Sequence, residues 1–452
     1  MIRAGSVQFL SSSLPDARPR FVSRLAQSSL IAMVCLSVTA PVITVSSALP
    51  WFRIEQLALP AIVLSYLWLL LVGEARPVRP NWMFLIGVVY AICVSVSLLY
   101  GWVFLGHTVI VRDLYEIPKV FFPVVFFMLG LETDLTESSL RKLLGYFSLA
   151  MILVCLYAWA QWMDIGVSHT LANFYSGGAH DEGSLSHYRR VYSTMGNPNV
   201  LGQLMTWAIA GFTLAALLGV GNRLLNLVMT LACLVTLAMT GSRYGLLDTG
   251  AALGLLILLP SIFRGRRRAS LALLLVLLPL FAGVVLFVAK SNRATGDRLQ
   301  TLRNPLTTDS LSDRVNDLWR DAGEEFIESP FLGHGPAKTI FSGIFTDSEY
   351  LDVLKEFGGI GFLVYLAYYV YPARVLWKGL RRTAKSEPEL ESRIPATFWA
   401  LHLSFIMTIT ALIMNIGMSS FYNLPLQGFL WMWMGIGAAA ARSLARVDRA
   451  AC

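Results

Sequence analysis

The polar side chains best placed to do chemistry lie in one long interval of this sequence and in one short turn. Residues 290–361 form a polar interval between two very apolar blocks, and this interval contains the carboxylates of Asp347 and Glu349. It is the longest segment that could hold chemistry outside a lipid bilayer. The turn is Thr240-Gly241-Ser242-Arg243, where an arginine stands between two apolar runs with almost no loop. An ionisable group is costly there unless it is used, so Arg243 is predicted to be functional.

Two short helices are predicted to position the groups of the polar interval. From 310 to 326, apolar residues recur at helical spacing and predict an amphipathic helix, which Ser329-Pro330 ends. The second helix is predicted to start at Thr346 or Asp347 and to end at the glycine pair Gly358-Gly359. Together, the two helices would form a cap on the membrane surface.

The elements on either side of this interval are predicted to cross a membrane. The sequence is 56% apolar and only 14% charged, and its apolar runs are long enough to cross about 30 Å of hydrocarbon. Twelve spans are predicted, at 27–49, 57–72, 83–104, 117–131, 144–163, 201–220, 224–239, 244–263, 271–288, 361–377, 396–416 and 426–440. The fold class is therefore an all-α integral membrane protein with a helical cap between the ninth and tenth spans.

The basic residues predict the orientation of these spans. The net charge is +8, and Lys and Arg gather in alternate short loops, as the positive-inside rule expects; a nucleic-acid partner is therefore not expected. Both tails, 1–26 and 444–452, are predicted to be cytoplasmic. The loops 164–198 and 290–357 then lie outside the cytoplasm. The first nine spans fall within 27–289, which includes the loop 164–198. The last three spans follow the loop 290–357 and fall within 358–443.

Four motifs, in this order, resemble the superfamily of bacterial O-antigen ligases and O-antigen polymerases. They are Met195-Gly196-Asn197-Pro198-Asn199, the Thr240 to Arg243 turn, Pro330-Phe331-Leu332-Gly333-His334-Gly335-Pro336 and the stretch 347–361. In the last of these, the ligases carry a His, then Asn, Ser or Gln, nine residues and a Gly. This chain has Asp347, Ser348, nine residues and Gly358, so the spacing is kept and the His is lost.

The resemblance implies an activity and a set of site residues. Members transfer a glycan from an undecaprenyl-pyrophosphate carrier to an acceptor hydroxyl at the periplasmic face of the inner membrane, without a metal or a cofactor. The pyrophosphate calls for cations, and arginine suits this because its fork meets phosphate oxygens two at a time. The arginines predicted to bind the pyrophosphate are Arg189, Arg190, Arg243 and Arg314. Asp347 takes the position of the ligase His and is the predicted general base, with Glu349 as the second candidate. The residues predicted to position the donor or the acceptor are Asn197, Asn199, Ser348, Tyr350 and His334.

Most of these residues also have a structural explanation. One of Arg189 and Arg190 could be a solvated loop charge, and Arg314 could pair with Asp317 or Asp321 on its own helix. Asn197 and Asn199 could form a turn and cap the following span. Thr346 and Glu349 have the spacing of a capping box, Asp347 is a good N-cap residue, and His334 could be structural.

Loss of the ligase His favours a polymerase that joins lipid-linked repeat units into O-antigen, capsule or exopolysaccharide, with a chain-length regulator as a possible partner. The alternative within the family is a ligase that moves finished polysaccharide to lipid A core or to a protein. An alternative of another class is a polytopic transporter or flippase. Polar groups are sparse at mid-span, and no internal repeat is visible, which disfavours a transport site near the midplane.

Overall fold

The computed structural model describes most of the 452-residue chain. The described residues are 20–43, 52–53, 81–133, 135–176, 190–259, 314–340, 346–383, 388–418 and 424–451, with scattered positions in 60–71 and 275–290. These residues are helical apart from loops and one short antiparallel pair, in which β1 (Val42–Ile43) meets β2 (Phe52–Arg53).

The helices fall into three groups along the chain. Before the polar interval lie α1 (Arg20–Thr39), α2 (Trp82–Val103), α3 (Val111–Lys119), α4 (Phe121–Glu132), α5 (Glu137–Trp162), α6 (Gly166–Ser176), α7 (Pro198–Leu218), α8 (Arg223–Thr240) and α9 (Arg243–Leu258). Inside the interval, a turn of π-helix at Arg314–Leu318 leads into α10 (Trp319–Glu328). After it lie α11 (Glu349–Thr383), α12 (Pro388–Arg393), α13 (Pro395–Met414) and α14 (Leu424–Ala451).

Within the described residues, seven segments are long and apolar enough to cross a membrane. They are α2, α3 together with α4, α5, α7, α8, α11 and α13, and each overlaps a span predicted from the sequence. The prediction of a helical, multi-pass membrane protein is confirmed. The count of twelve stays a prediction; the predicted spans 57–72 and 271–288 fall largely outside the described residues.

The core is built around α7, α13 and α14. The apolar window of α7 is buried along its whole length, which is unusual for a span that could face lipid. Tryptophans tie these helices together: Trp207 Nε1 donates to Thr410 Oγ1 at 2.9 Å, and Trp399 Nε1 donates to Gly211 O at 2.8 Å. Trp431 and Trp433 are both buried and so belong to the core.

Several helix ends meet at one end of the bundle. The side chain of Gln161, at the end of α5, accepts hydrogen bonds from Tyr192 N at 3.1 Å and Ser193 N at 2.8 Å, just before α7 begins. Val191 N donates to Met239 O at 3.4 Å, which joins the same segment to the end of α8. Loops joined to these ends are therefore brought together, as the alternation of predicted external loops requires.

The two helices of the polar interval are confirmed with shifted bounds. The first runs to Glu328 rather than 326, directly before Ser329, whose N–H donates back to Glu325 O at 3.4 Å. The second begins at Glu349 and not at Thr346 or Asp347, because Asp347 has a φ of +56°, in the left-handed region. This helix breaks at Gly358, with φ 64° and ψ −173°, and then continues as the span α11 to Thr383.

Candidate active site

Arg190 is held at a fixed place beside the first turn of α7. Its Nε donates to Thr240 O at 2.8 Å, and its Nη2 donates to Asn199 Oδ1 at 2.9 Å. Both acceptors are neutral, so they fix the guanidinium in position without cancelling its charge. Because Thr240 ends α8, these bonds bring Arg190 close to the turn that carries Arg243. We call Arg190, Asn199, Thr240 and Arg243 the arginine corner.

The two asparagines of the Asn-Pro-Asn motif have different roles. Asn197 is the N-cap of α7, and its Oδ1 accepts from Asn199 N at 2.8 Å. The capping alternative is thus confirmed for Asn197. Asn199 lies in the first turn of α7 and orients Arg190 instead, which is a positioning role towards the arginine and not a cap.

Two helix N-termini lie side by side at the arginine corner. Ser242 is the N-cap of α9, and its Oγ accepts from Gly245 N at 3.1 Å. A Cβ added to Gly245 would lie 3.0 Å from Gly202 Cα, so the first turns of α7 and α9 pack with backbone against backbone. The dipoles of both helices then add to the field of Arg190 and Arg243, which makes this corner favourable for an anion.

The acidic turn, residues 346–350, is tied to the end of α13. Glu349 N donates to Asn415 O at 3.0 Å, and Tyr350 OH donates to Leu412 O at 2.6 Å. Trp319 Nε1, from α10, donates to Thr346 O at 2.9 Å. Glu349 and Ser348 are buried, whereas Asp347 is only half-buried and is therefore the carboxylate of the turn that a substrate can reach more easily.

The capping predictions for this turn are wrong. Thr346 Oγ1 accepts from Ser348 N at 3.1 Å rather than from Glu349 N, so the capping box of Thr346 and Glu349 does not form. Asp347 is not the N-cap either, since its φ is positive and the helix starts two residues later, after Ser348. The positive φ of a non-glycine residue is uncommon, and it turns Asp347 away from the helical path.

The end of α13 joins the acidic turn to the arginine corner. A Cβ added to Gly417 would meet the ring of Tyr244, the residue after Arg243. Two residues earlier, Asn415 accepts the backbone N–H of Glu349. Positions 243 and 349, far apart in sequence, therefore approach the same short segment of chain.

His334 joins the loop after α10 to α10 itself and to the loop after α2. It is buried, its Nε2 donates to Glu325 O at 2.8 Å, and its carbonyl accepts from His107 Nδ1 at 3.0 Å. The loop around it docks on the break in α11, where Gly359 N donates to Pro330 O at 2.8 Å. These contacts support the structural alternative for His334.

A group of charged side chains, most of them buried, joins α3 to residues much later in the chain. Glu116 and Lys119 form an ion pair within α3, at 3.1 Å. Their neighbours come from much later in the chain: Lys338 Nζ lies 2.9 Å from Glu356 Oε1 and 3.8 Å from Glu116 Oε1, and Lys338 N donates to Asp113 Oδ1 at 2.8 Å. We call Asp113, Glu116, Lys119, Lys338 and Glu356 the cap anchor. No local pattern links α3 to Lys338 or Glu356, so periodicity alone could not find it.

Lys338 and Glu325 have pKa values shifted from the ordinary ones. Burial lowers the pKa of Lys338, but attraction by Glu356 and Glu116 outweighs burial and leaves its pKa above the ordinary value. Burial raises the pKa of Glu325, against the opposing effects of Lys355 and His334. Lys338 is therefore firmly cationic, and burial makes the ionised form of Glu325 less favourable.

Two of the predicted site residues, Arg189 and Arg314, cannot be placed together with these. Arg189 lies outside the described residues, and of Arg314 the structure describes the backbone, in the turn of π-helix before α10, but not the side chain. Their proposed role stays a prediction. Within the described residues, no group of three His, Cys, Asp or Glu side chains is placed to hold a metal ion.

The comparison with protein families agrees with the motifs. Residues 228–366 match the model of the O-antigen ligase family. The resemblance to the superfamily of O-antigen ligases and polymerases is confirmed. The matched O-antigen ligase region contains Arg243, the acidic turn, Lys338 and Glu356, while Arg190 and Asn199 precede it. A comparison with curated proteins finds no match.

Proposed function

We propose that this protein is a polymerase that joins undecaprenyl-pyrophosphate-linked oligosaccharide repeat units into O-antigen, capsule or exopolysaccharide. The observation that carries the proposal is the arginine corner, with Arg190 fixed by Asn199 and Thr240 beside the N-termini of α7 and α9. A pyrophosphate carries the charge and the oxygen atoms that such a corner binds.

The reaction follows from this placement. The acceptor hydroxyl of one repeat unit attacks the anomeric carbon of the sugar bound to the carrier, and the bond from that carbon to the pyrophosphate oxygen breaks. Arg190 and Arg243 stabilise the negative charge that develops on the leaving pyrophosphate. These cations supply the electrostatic stabilisation, so the scheme needs no metal or cofactor.

Asp347 is the proposed general base. It is half-buried and so open to a substrate, whereas Glu349 is 0% exposed and its backbone is bound to Asn415. A base must come within hydrogen-bond reach of the proton it removes, which favours Asp347. The bond from Glu349 N to Asn415 O then helps to hold the acidic turn in place.

The side of the membrane is part of the proposal. We place the arginine corner and the acidic turn at the periplasmic face of the inner membrane, with both termini in the cytoplasm, as the basic loops indicate. A cysteine at Glu324, which is exposed in the cap, should react with an impermeant thiol reagent in intact cells. Labelling only after lysis would overturn this orientation.

A ligase is the second candidate, and the description of the matching family model favours it. The substitution of Asp347 for the ligase His favours the polymerase instead. The two reactions share the donor and the leaving group, and they differ in the acceptor.

One assay separates them. Purified protein is given lipid-linked repeat units alone, or repeat units together with lipid A core. A ladder of longer lipid-linked chains from repeat units alone is expected of a polymerase. Products that form only when lipid A core is present would show a ligase, and no transfer in either mixture would contradict both.

A further inference from the structure

A carboxyl group lies buried between α7 and α9, further along the two helices from their N-termini than the arginine corner. Asp248 is 1% exposed and Gln203 is 0% exposed, and Gln203 Nε2 donates to Asp248 Oδ2 at 2.8 Å. They belong to a seam of small and polar residues that joins the first turns of the two helices. In the same seam, Ser242 packs on Gly202, and Thr206 Oγ1 lies 2.8 Å from Thr249 Oγ1.

The remaining oxygen of each group has no hydrogen-bond donor among the described residues. These atoms are Asp248 Oδ1 and Gln203 Oε1, and both are buried acceptors if the carboxyl group is ionised. When a carboxyl and a carboxamide share one N–H···O bond edge to edge, their other oxygens face each other. Two bare acceptors facing each other would repel, and one proton on Asp248 Oδ1 would satisfy both.

The charges around Asp248 do not favour its ionised form. Of the described elements packed against α9, α7 has no ionisable side chain, α13 has His402, and α8 has Arg223 at its far end and Cys233. On α9 itself, Arg243 and Tyr244 lie in the first turn, more than one turn before Asp248. Among the described residues, this carboxyl group accepts its hydrogen bond from the neutral side chain of Gln203. A buried carboxylate without a paired cation is very costly, and it takes up a proton instead.

We infer that Asp248 is a neutral carboxylic acid that donates its Oδ1 proton to Gln203 Oε1, closing a two-bond clamp between α7 and α9. The clamp sets the distance between the two helix N-termini, and so it positions Arg243 relative to Arg190. Asp248 is therefore a positioning residue for the anion site; this consequence, though not the protonation itself, rests on the proposed function.

Infrared difference spectroscopy tests the protonation directly. A spectrum of the purified wild-type protein minus that of Asp248→Asn should contain the C=O stretch of a protonated carboxylic acid, shifted in deuterium oxide. The band should persist from about pH 5 to pH 8, above the ordinary range for Asp. A difference spectrum that shows a lost carboxylate instead would overturn the inference.

Variants test the clamp. In Asp248→Asn the amide can make both bonds, so thermal stability, polymerisation rate and its pH profile should match those of the wild type. Asp248→Leu leaves Gln203 without its partner and should raise KM for the lipid-linked donor about tenfold by displacing the first turn of α9. Adding Gln203→Leu should restore thermal stability, because both polar groups are then gone.

Two other results would overturn either the inference or the proposed function. An Asp248→Asn protein that fails to fold, or that loses activity, would show that the carboxylate charge is needed and would overturn the inference. If Arg243 proves dispensable for polymerisation, the proposed function fails, but the infrared result still decides the protonation of Asp248.

Discussion

The arginine corner and the cap anchor both bring basic groups into the protein at the same end of the bundle, but they hold them differently. In the cap anchor, the ammonium group of Lys338 meets the carboxylates of Glu356 and Glu116. In the arginine corner, Arg190 is fixed by a backbone carbonyl and an amide oxygen, both neutral. The first arrangement neutralises charge, and the second positions it.

The difference indicates that the cap anchor serves the structure, whereas the arginine corner serves the proposed chemistry. Opposite charges that meet inside the protein join α3, the loop after α10 and the first part of α11, so the cap anchor holds these three segments together. Bonds to neutral acceptors fix a cation without neutralising its charge, and the nearby helix N-termini add to the attraction for an incoming anion. Substitutions in the two regions should therefore change different quantities.

The largest effect is expected in the acidic turn. Asp347→Asn should lower the polymerisation rate about 10² to 10⁴-fold, because an amide cannot take the acceptor proton. The melting temperature should stay unchanged, since Asp347 neither caps α11 nor is fully buried. The rate is measured with purified lipid-linked repeat units, and Glu349→Gln serves as the control at a buried position. A wild-type rate for Asp347→Asn would remove Asp347 from the chemistry.

In the cap anchor, Lys338→Met should mainly reduce stability. It leaves Glu356 and Glu116 buried without this cation, at a cost of roughly 3 kcal/mol in the free energy of unfolding. Thermal unfolding in detergent measures this loss. The matched control is Arg320→Ala in the same cap, whose ion pairs with Asp321 and Glu324 are exposed and contribute below about 1 kcal/mol. Equal melting temperatures for the two variants would contradict the anchoring role.

In the arginine corner, the two asparagines form a matched pair. Asn199→Ala removes the acceptor of Arg190 Nη2 and should slow polymerisation about tenfold, with little change in stability. Asn197→Ala removes the N-cap of α7 and should lower stability by about 1 kcal/mol, with less effect on the rate. If the rates of the two variants fell equally, Asn199 would have no special role in positioning Arg190.

The smallest effect concerns Glu325 in the cap, whose pKa is raised by burial. A raised pKa means that the ionised form disfavours folding, so stability falls as pH rises from the unfolded pKa through the folded one. Glu325→Gln should therefore raise the melting temperature slightly at pH 7, by less than about 1 kcal/mol in unfolding free energy. The gain should vanish below about pH 4, where Glu325 is protonated in both states. A gain that is the same at both pH values would show that the charge of Glu325 is not its cause.

Local patterns predicted the parts of this protein whose causes are local. Apolar runs located the seven described segments that could cross a membrane, and the helical spacing before Ser329-Pro330 located α10. The Asn197 cap could be predicted for the same reason, because its partner is two residues away. The left-handed turn at Asp347 could not, since Trp319 and Asn415, which hold its neighbours, come from distant elements. The pairing of Lys338 with α3 and of Asp248 with Gln203 likewise depends on tertiary packing.

The central claim is that the arginine corner binds the carrier pyrophosphate, and headgroup selectivity tests it most directly. The affinities of purified wild-type protein and Arg243→Ala are measured for undecaprenyl pyrophosphate and for undecaprenol, with Arg320→Ala as a control that also removes one guanidinium. The wild type and the control should prefer the pyrophosphate, and Arg243→Ala should lose about ten- to a hundredfold of that preference while it binds undecaprenol normally. An unchanged preference in a folded Arg243→Ala protein would contradict the account.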